Sequence, residues 1–260
     1  MNRRIEGKRA LVTGATAGIG RATARLLAEA GCEVAVTGRR EERLQELREE
    51  IEEVCDVPVH TGAFDLRDRG DCRDFLEGLP GPVDILVNNA GLAYGTDAVY
   101  EADFDDWDAM IDTNVKALLT MTRLVSPSMR EREEGHIINI GSIAGHESYA
   151  GGAVYCATKH AVKAITEATK KDLHGTPVRV SMVSPGLVET EFSMVRYRGD
   201  RERAESVYEN MQPLVAEDIA EIVVFVAGRP PHVNIMDTVV FPVAQSSSSM
   251  VWREGEDARA

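Results

Sequence analysis

The sequence predicts an α/β fold, a single-domain doubly wound parallel sheet. Three observations carry the prediction. Short apolar runs alternate with longer amphipathic runs six or seven times along 260 residues. The first apolar run enters a glycine-rich turn, Gly14 to Gly20, which opens onto a helical pattern. A hydrophobic content of 43% suits one core of this size, and no linker or internal repeat divides it.

The bulk numbers set further bounds. No apolar run approaches the roughly 20 residues that cross a bilayer, so no membrane partner is expected. The N-terminus has charge but no apolar stretch of the signal-peptide kind. Four cysteines, Cys32, Cys55, Cys72 and Cys156, form no C-x-x-C pair, so neither a zinc site nor a redox motif is expected. Scattered thiols fit a cytoplasmic protein. The formal net charge is -14, from 43 acidic and 29 basic residues, which argues against nucleic acid as a partner. The acidic excess reads either as solubility or as adaptation to a salty cytoplasm.

Taken in order, RALVT (9–13) is the first strand and RATARLLAEAG the first helix, with Gly31 as its stop. EVAVTG (33–38) is the second strand. Strand, glycine turn, helix and strand make a dinucleotide-binding βαβ unit. Glycines at 14, 18 and 20 allow the turn, the approach of backbone N–H groups to a pyrophosphate, and close helix packing. The helix N-terminus adds about half a positive charge for the phosphates.

The second strand ends at Gly38-Arg39-Arg40. Binders of the unphosphorylated cofactor usually place an acid near here for the ribose 2′-hydroxyl. Two arginines suit a 2′-phosphate instead, so NADP(H) is the expected cofactor. Glu41 and Glu42 follow closely, and Arg39 and Arg40 also serve as the start of a charged helix. The third strand, VPVHTGAFDL, ends at Asp65-Leu66. Asp65 either accepts from an adenine amino group or caps the next helix. The fourth strand breaks at Asn88-Asn89-Ala90-Gly91, amides and small residues that suit backbone approach to a ligand.

Phe104 to Arg132 reads as helix, with Asn114 inside it against its propensity. HIINIGS is the fifth strand and carries Ser142 at its carboxyl end. Tyr155 and Lys159 stand four apart on the following helix and share a face. VRVSMVSPG is the sixth strand, ending at Pro185-Gly186. Residues 187–215 form a polar cover loop expected to be mobile over the site. AEDIAEIVVFVAG is an amphipathic helix, and NIMDTVVFPV is the last strand. Residues 1–244 thus make the catalytic domain. Residues 245–260 are a polar tail expected to fray or to dock on a neighbouring subunit.

In doubly wound sheets, ligands sit at the carboxyl ends of strands. Asn89, Ser142 and Pro185-Gly186 all fall there, with Tyr155 close behind. A free tyrosine has a pKa of about 10, so action near pH 7 needs a shift worth roughly 4 kcal/mol. Positive charge from Lys159 and from an oxidised nicotinamide supplies it. Ser142 holds a carbonyl or alkoxide oxygen without taking charge. The set suits proton transfer at oxygen while a hydride moves at carbon.

These motifs, Thr13-Gly14-x3-Gly18-Ile19-Gly20, Asn88 to Gly91, Asn114, Ser142, Tyr155-x3-Lys159 and Pro185-Gly186, resemble the short-chain dehydrogenase/reductase family over almost the whole chain. The resemblance implies a tetrad of Asn114, Ser142, Tyr155 and Lys159. Tyr155 would be the general acid/base, Lys159 would bind the nicotinamide ribose and lower the tyrosine pKa, and Ser142 would orient the substrate oxygen. Asn114 would hold a water linking Lys159 to solvent. The family pattern puts Asp65 and Leu66 at the adenine and Asn89 to Gly91 along the cofactor, with Thr16 and Ala17 also expected to bind it and Val188 and Thr190 at its carboxamide.

Within that family, GRREERLQEL, YAGGAVYCATK, LVETEFSMVRYRGD and HVNIMDTVVFPVAQS resemble the NADP-dependent 3-hydroxy acid dehydrogenases. That implies a homotetramer acting on small alcohols such as serine and L-allo-threonine. A substrate carboxylate needs a cation, and Arg196 and Arg198 in the cover loop are the candidates. The alternatives are a reductase of 3-oxoacyl thioesters or other carbonyls, and a non-catalytic NADP(H)-sensing protein.

Overall fold

The computed structural model describes residues 4–255. Its strands are β1 (Arg9–Thr13), β2 (Glu33–Gly38), β3 (Val59–Ala63), β4 (Ile85–Asn88), β5 (His136–Ile140), β6 (Arg179–Pro185) and β7 (Asp237–Val240). They form one parallel sheet in the order β3-β2-β1-β4-β5-β6-β7. The order reverses between β1 and β4, which opens a crevice at their carboxyl ends.

The predicted doubly wound architecture follows from how the strands are buried. All five residues of β5 are buried, so the run reads as continuously apolar apart from His136 and Asn139. Side chains alternate between two cores. Val12, Val36, Val87 and Ile138 face α1 (Gly18–Glu29), α2 (Glu41–Val54) and α9 (Ala216–Ala227) through Leu27, Leu47 and Ile219. Leu11, Leu86 and Ile137 face the other way, onto Met121, Val125 and Met129. In α2, Leu44, Leu47 and Ile51 form the buried stripe, and the charged residues keep the other face in water.

The remaining helices are α3 (Arg69–Glu77), α4 (Phe104–Ile111), α5 (Leu118–Glu131), α6 (Ala153–Asp172), α7 (Glu191–Arg196) and α8 (Arg201–Ser206). The single helix expected over 104–132 is interrupted by a π-helical turn, Asp112–Ala117. That wider turn holds Asn114 and points it inward. Among the described residues the helix cap before α3 is Asp68, which accepts from the Gly70 and Asp71 N–H groups. The capping alternative for Asp65 is therefore corrected in favour of Asp68.

The cover carries α7 and α8. Its root is tied where Leu214 N–H donates to the Leu187 carbonyl (3.0 Å) and Glu189 N–H donates to the Leu214 carbonyl (2.8 Å). The tail does not fray as far as Gly255. It folds back on its own chain, with Trp252 N–H donating to the Ala244 carbonyl and Gln245 bridged to Val251. Residues 256–260 of the expected tail lie outside the described residues.

Candidate active site

The crevice between β1 and β4 opens into a cavity of about 590 Å³. Its floor is held by side-chain amides. The Thr13 hydroxyl accepts from the N–H groups of Asn89 and Ala90, both at 3.1 Å. Asn89 Nδ2 donates back to the carbonyls of Thr13 (2.9 Å) and Gly14 (3.1 Å). Gly14 stands at φ +68, and a Cβ there would come within 2.8 Å of Ala90 Cα. Only glycine allows both the backbone angle and the approach. Asn88 points away, into a buried network with Thr122 and Asn139. The two adjacent asparagines therefore have separate tasks, and only Asn89 reaches the cavity.

Thr16, Ala17, Gly18 and Ile19 line the cavity where α1 begins. Ala17 is extended, no side chain among the described residues caps this end, and no acid sits in the first turn. The free N–H groups of a helix start favour an anion such as a pyrophosphate. Gly20 lies behind this wall, where a Cβ would meet the Gly14 carbonyl oxygen at 2.4 Å. Its expected cofactor contact is corrected to a packing role.

Arg39 and Arg40 line the same cavity beyond Thr16. Arg40 Nη2 donates to Thr16 Oγ1 at 2.8 Å, and its Nη1 pairs with Glu191 at 2.8 Å. Arg39 is exposed and has no ion pair among the described residues. Asp65 lines the cavity with Leu66, and Arg67 binds both its carboxylate oxygens. Those hydrogen bonds hold the Asp65 carboxyl below its ordinary range.

Ser142, Tyr155 and Lys159 meet at the opposite end of the cavity. A 3-10 turn (Ile143–Gly145) follows Ser142 and packs on α6 so tightly that a Cβ on Gly145 would lie 2.5 Å from the Lys159 carbonyl oxygen. Lys159 is 6% exposed, donates to the Ile140 carbonyl at 2.9 Å, and lies 6.0 Å from the Tyr155 ring centre. Asn114 is not on the cavity wall. Its Oδ1 accepts from the Leu92 N–H, and its Nδ2 donates to the Leu92 carbonyl and Thr158 Oγ1. Thr158 in turn donates to the Tyr155 carbonyl at 2.8 Å. Asn114 thus braces the helix that carries the tyrosine.

Burial acts against the expected acidity of Tyr155. Tyr155 touches the cavity, yet protein surrounds it deeply enough that burial pushes its phenol above the ordinary value. A Ser142 hydrogen bond and the Arg196 charge act the other way and offset only part. Burial also lowers Lys159, to about 8, so it stays mostly charged at pH 7. The chain's own groups do not make the phenol acidic. Further positive charge at the site is needed for that.

Arg196 lines the cavity, and its guanidinium lies 5.5 Å from the Tyr149 ring centre and 5.8 Å from that of Tyr155. Its Nε donates to the Gly95 carbonyl at 3.1 Å, which fixes the plane of the fork. Arg198 is a correction. It stands past the end of α7 at φ +52, turns out to solvent and pairs with Asp106, outside the cavity. Sequence reasoning missed Tyr149, Phe192, Tyr208 and the tail residues Gln245, Ser248 and Arg253, all on the wall. Tyr149 and Phe192 had a signal, as aromatics inside the motif segments. The tail had none.

Pro185, Gly186, Val188 and Thr190 also line the cavity, and Thr190 caps α7. A glycine turn at the switch point, with serine, tyrosine and lysine at the facing end, defines a nucleotide-dependent oxidoreductase of the short-chain type. The chain belongs to the short chain dehydrogenase family, whose profile it matches over residues 8–201.

Particular relatives are more specific. The chain is 50% identical over 244 residues to the "NADP-dependent 3-hydroxy acid dehydrogenase YdfG" of Salmonella typhi, covering 92% of this chain and 97% of that one. It is 44% identical to the "NADP-dependent 3-hydroxy acid dehydrogenase" of Schizosaccharomyces pombe, covering 96% and 98%. A solved closed form of serine dehydrogenase complexed with NADP+ matches with a TM-score of 0.89 at 47% identity, over 95% of this chain and 99% of that one.

Proposed function

We propose that this chain is an NADP(H)-dependent dehydrogenase of short 3-hydroxy acids such as serine and L-allo-threonine. One observation carries the reading. A single cavity joins an uncapped helix start and two arginines at one end to Ser142, Tyr155, Lys159 and Arg196 at the other. The similarity to 3-hydroxy acid dehydrogenases over nearly the full length supports the same substrate class. When bound, the nicotinamide supplies or accepts the hydride.

The chain's residues do the rest. The first turn of α1 binds the pyrophosphate, and Arg39 and Arg40 bind the 2′-phosphate. Asp65 and Leu66 flank the adenine, Asn89 to Gly91 line the middle, and Pro185, Gly186, Val188 and Thr190 hold the carboxamide. Lys159 holds the ribose and, with the cofactor's positive charge, brings the Tyr155 proton within reach of neutral pH. Ser142 orients the substrate oxygen, from which Tyr155 takes a proton or to which it gives one. Arg196 pairs with the substrate carboxylate.

A homotetramer belongs to the same reading, supported by apolar groups left exposed at the sheet edge and beside it, Val239, Val243 and Phe225. A cytoplasmic location is supported by four free thiols. No described helix is long and apolar enough to cross a membrane. The test is an NADP+-coupled absorbance screen over 3-hydroxy acids, simple alcohols and 3-hydroxyacyl thioesters. Turnover of L-allo-threonine or serine supports the proposal. Turnover of thioesters alone, or cofactor binding with no turnover, overturns it.

A further inference from the structure

The stretch after β7 contributes no group to the chemistry above, yet it grips the cover at two places. Gln245 is 5% exposed. Its Oε1 accepts from the Leu187 N–H at 2.8 Å, and its Nε2 donates to the Ser247 carbonyl at 2.9 Å. Leu187 is the first residue of the cover. Gly186 before it lies so close that a Cβ there would come within 2.3 Å of Gln245 Oε1. Further along, Arg253 donates to the carbonyls of Val207 (3.0 Å) and Glu209. Glu254 N–H donates to the Asn210 carbonyl at 2.8 Å. These three carbonyls stand just past α8, at the far side of the cover. Between the two grips, Ser248 N–H donates to the Glu147 carboxylate at 3.0 Å, which ties the stretch to the segment following Ser142.

Helices of six residues do not hold themselves in water. The position of α7 and α8, and with them of Arg196 and Tyr208, must come from contacts outside them. Tyr208 OH reaches the Val188 carbonyl at 2.8 Å, so the second helix hangs on the same root that Gln245 holds. A buried amide at 245 meets a donor and an acceptor at once, which neither a carboxylate nor an apolar side chain does.

We propose that Gln245 is a positioning residue for the substrate end of the cavity. Through Leu187, and with Arg253 at the far side, it makes residues 245–255 a strap that sets where the cover stands. The strap forms a wall at the cover side, while the cofactor phosphates are held at the other end by the helix start and arginines. Its loss is therefore read more strongly in the substrate than in the nucleotide, for which residues 185–190 hold only the carboxamide. The kinetic arm of this inference rests on the proposed function.

The experiment uses the full chain with Gln245→Leu, Gln245→Glu and Arg253→Met. Three quantities are measured: KM for L-allo-threonine, Kd for NADPH by fluorescence, and amide exchange over 187–215. Gln245→Leu loses two part-buried hydrogen bonds, so KM rises about tenfold while the NADPH Kd, set mainly by the helix start and the arginines, changes several-fold less. Exchange rises over 187–215 and holds steady in β5 and α6. Gln245→Glu, which keeps the acceptor toward Leu187, recovers part of the KM change. Should Gln245→Leu fail to fold, Arg253→Met gives the same reading from the other grip. Unchanged exchange over 187–215 overturns the strap, and raised exchange with unchanged KM overturns the positioning role. A wild-type chain inactive on every 3-hydroxy acid refutes the substrate assignment alone, because the exchange measurement still decides the strap.

Discussion

Replacing Arg196 with methionine separates substrate recognition from chemistry. Methionine keeps an unbranched apolar stem against Tyr149 and Tyr155 and removes the charge. In the structure Nε is spent on the Gly95 carbonyl, which leaves the two Nη groups for a carboxylate. A charge-assisted hydrogen bond contributes roughly 1.5–3 kcal/mol. At about 1.4 kcal/mol per decade, one such bond is worth about 10- to 150-fold. The variant should lose that factor in kcat/KM for L-allo-threonine and only a few-fold for the corresponding amide, which carries no carboxylate. A second signature follows from the charge that Arg196 places beside the Tyr155 phenol. The Arg196 charge lowers the phenol's pKa, so its removal raises it further and moves the pH-rate profile to the alkaline side. Steady-state NADP+ reduction with both substrates across pH reads both effects. Equal losses for acid and amide, with an unmoved profile, would refute the carboxylate assignment.

Other predictions concern the nucleotide end and the core. Arg39→Ala should lower the ratio of kcat/KM for NADPH over NADH by on the order of 10-fold or more. Arg40→Ala should lower it less, because Arg40 is already engaged by Thr16 and Glu191; a wild-type ratio below one removes the argument for both. His136 is buried, bonded through Nε2 to Ser181 Oγ, and its Nδ1 has no partner among the described residues. Burial first, then the charges of Arg179 and Lys170, hold its pKa well below the ordinary value. In that window the unfolded chain binds the extra proton, so the stability tied to neutral His136 is complete above about pH 6.5 and falls as pH drops. Urea midpoints compared between about pH 8 and pH 5 should decline less steeply for His136→Gln than for the wild type, and identical slopes would contradict this.

Much of the fold was legible because its signals are local. The run RALVT, the glycine turn after it and the four-residue spacing of Tyr155 and Lys159 each act within one turn or strand. They met at one cavity because parallel strands all deliver their carboxyl ends to the same edge. The misses have a different physical origin. Arg196 and Arg198 are two residues apart in a stretch without clear periodicity. Two successive left-handed residues after α7, Arg198 itself and Gly199, turn the chain, so that one arginine stays on the cavity and the other pairs with Asp106. The π-helical turn around Asn114 changes hydrogen-bond spacing without changing the amphipathic pattern. Asp65 and Asp68 are chemically equal candidates for a cap, and only backbone geometry selects Asp68. Gln245 acts on Leu187, 58 residues away, through a hydrogen bond that leaves no trace in composition or period. The acidity of Tyr155 is likewise a sum over burial and charge in three dimensions, and among the protein groups burial outweighs the Ser142 hydrogen bond and the Arg196 charge.

The central claim is that Tyr155 moves the proton while the cofactor moves the hydride. It is tested most directly by Tyr155→Phe, which removes one oxygen and keeps the ring against Phe192. NADP+ reduction by the best 3-hydroxy acid and NADPH binding by fluorescence are measured on the same preparation. Turnover should fall by at least about 100-fold while the NADPH Kd stays within a few-fold. Turnover that survives in a variant still binding NADPH would contradict the account.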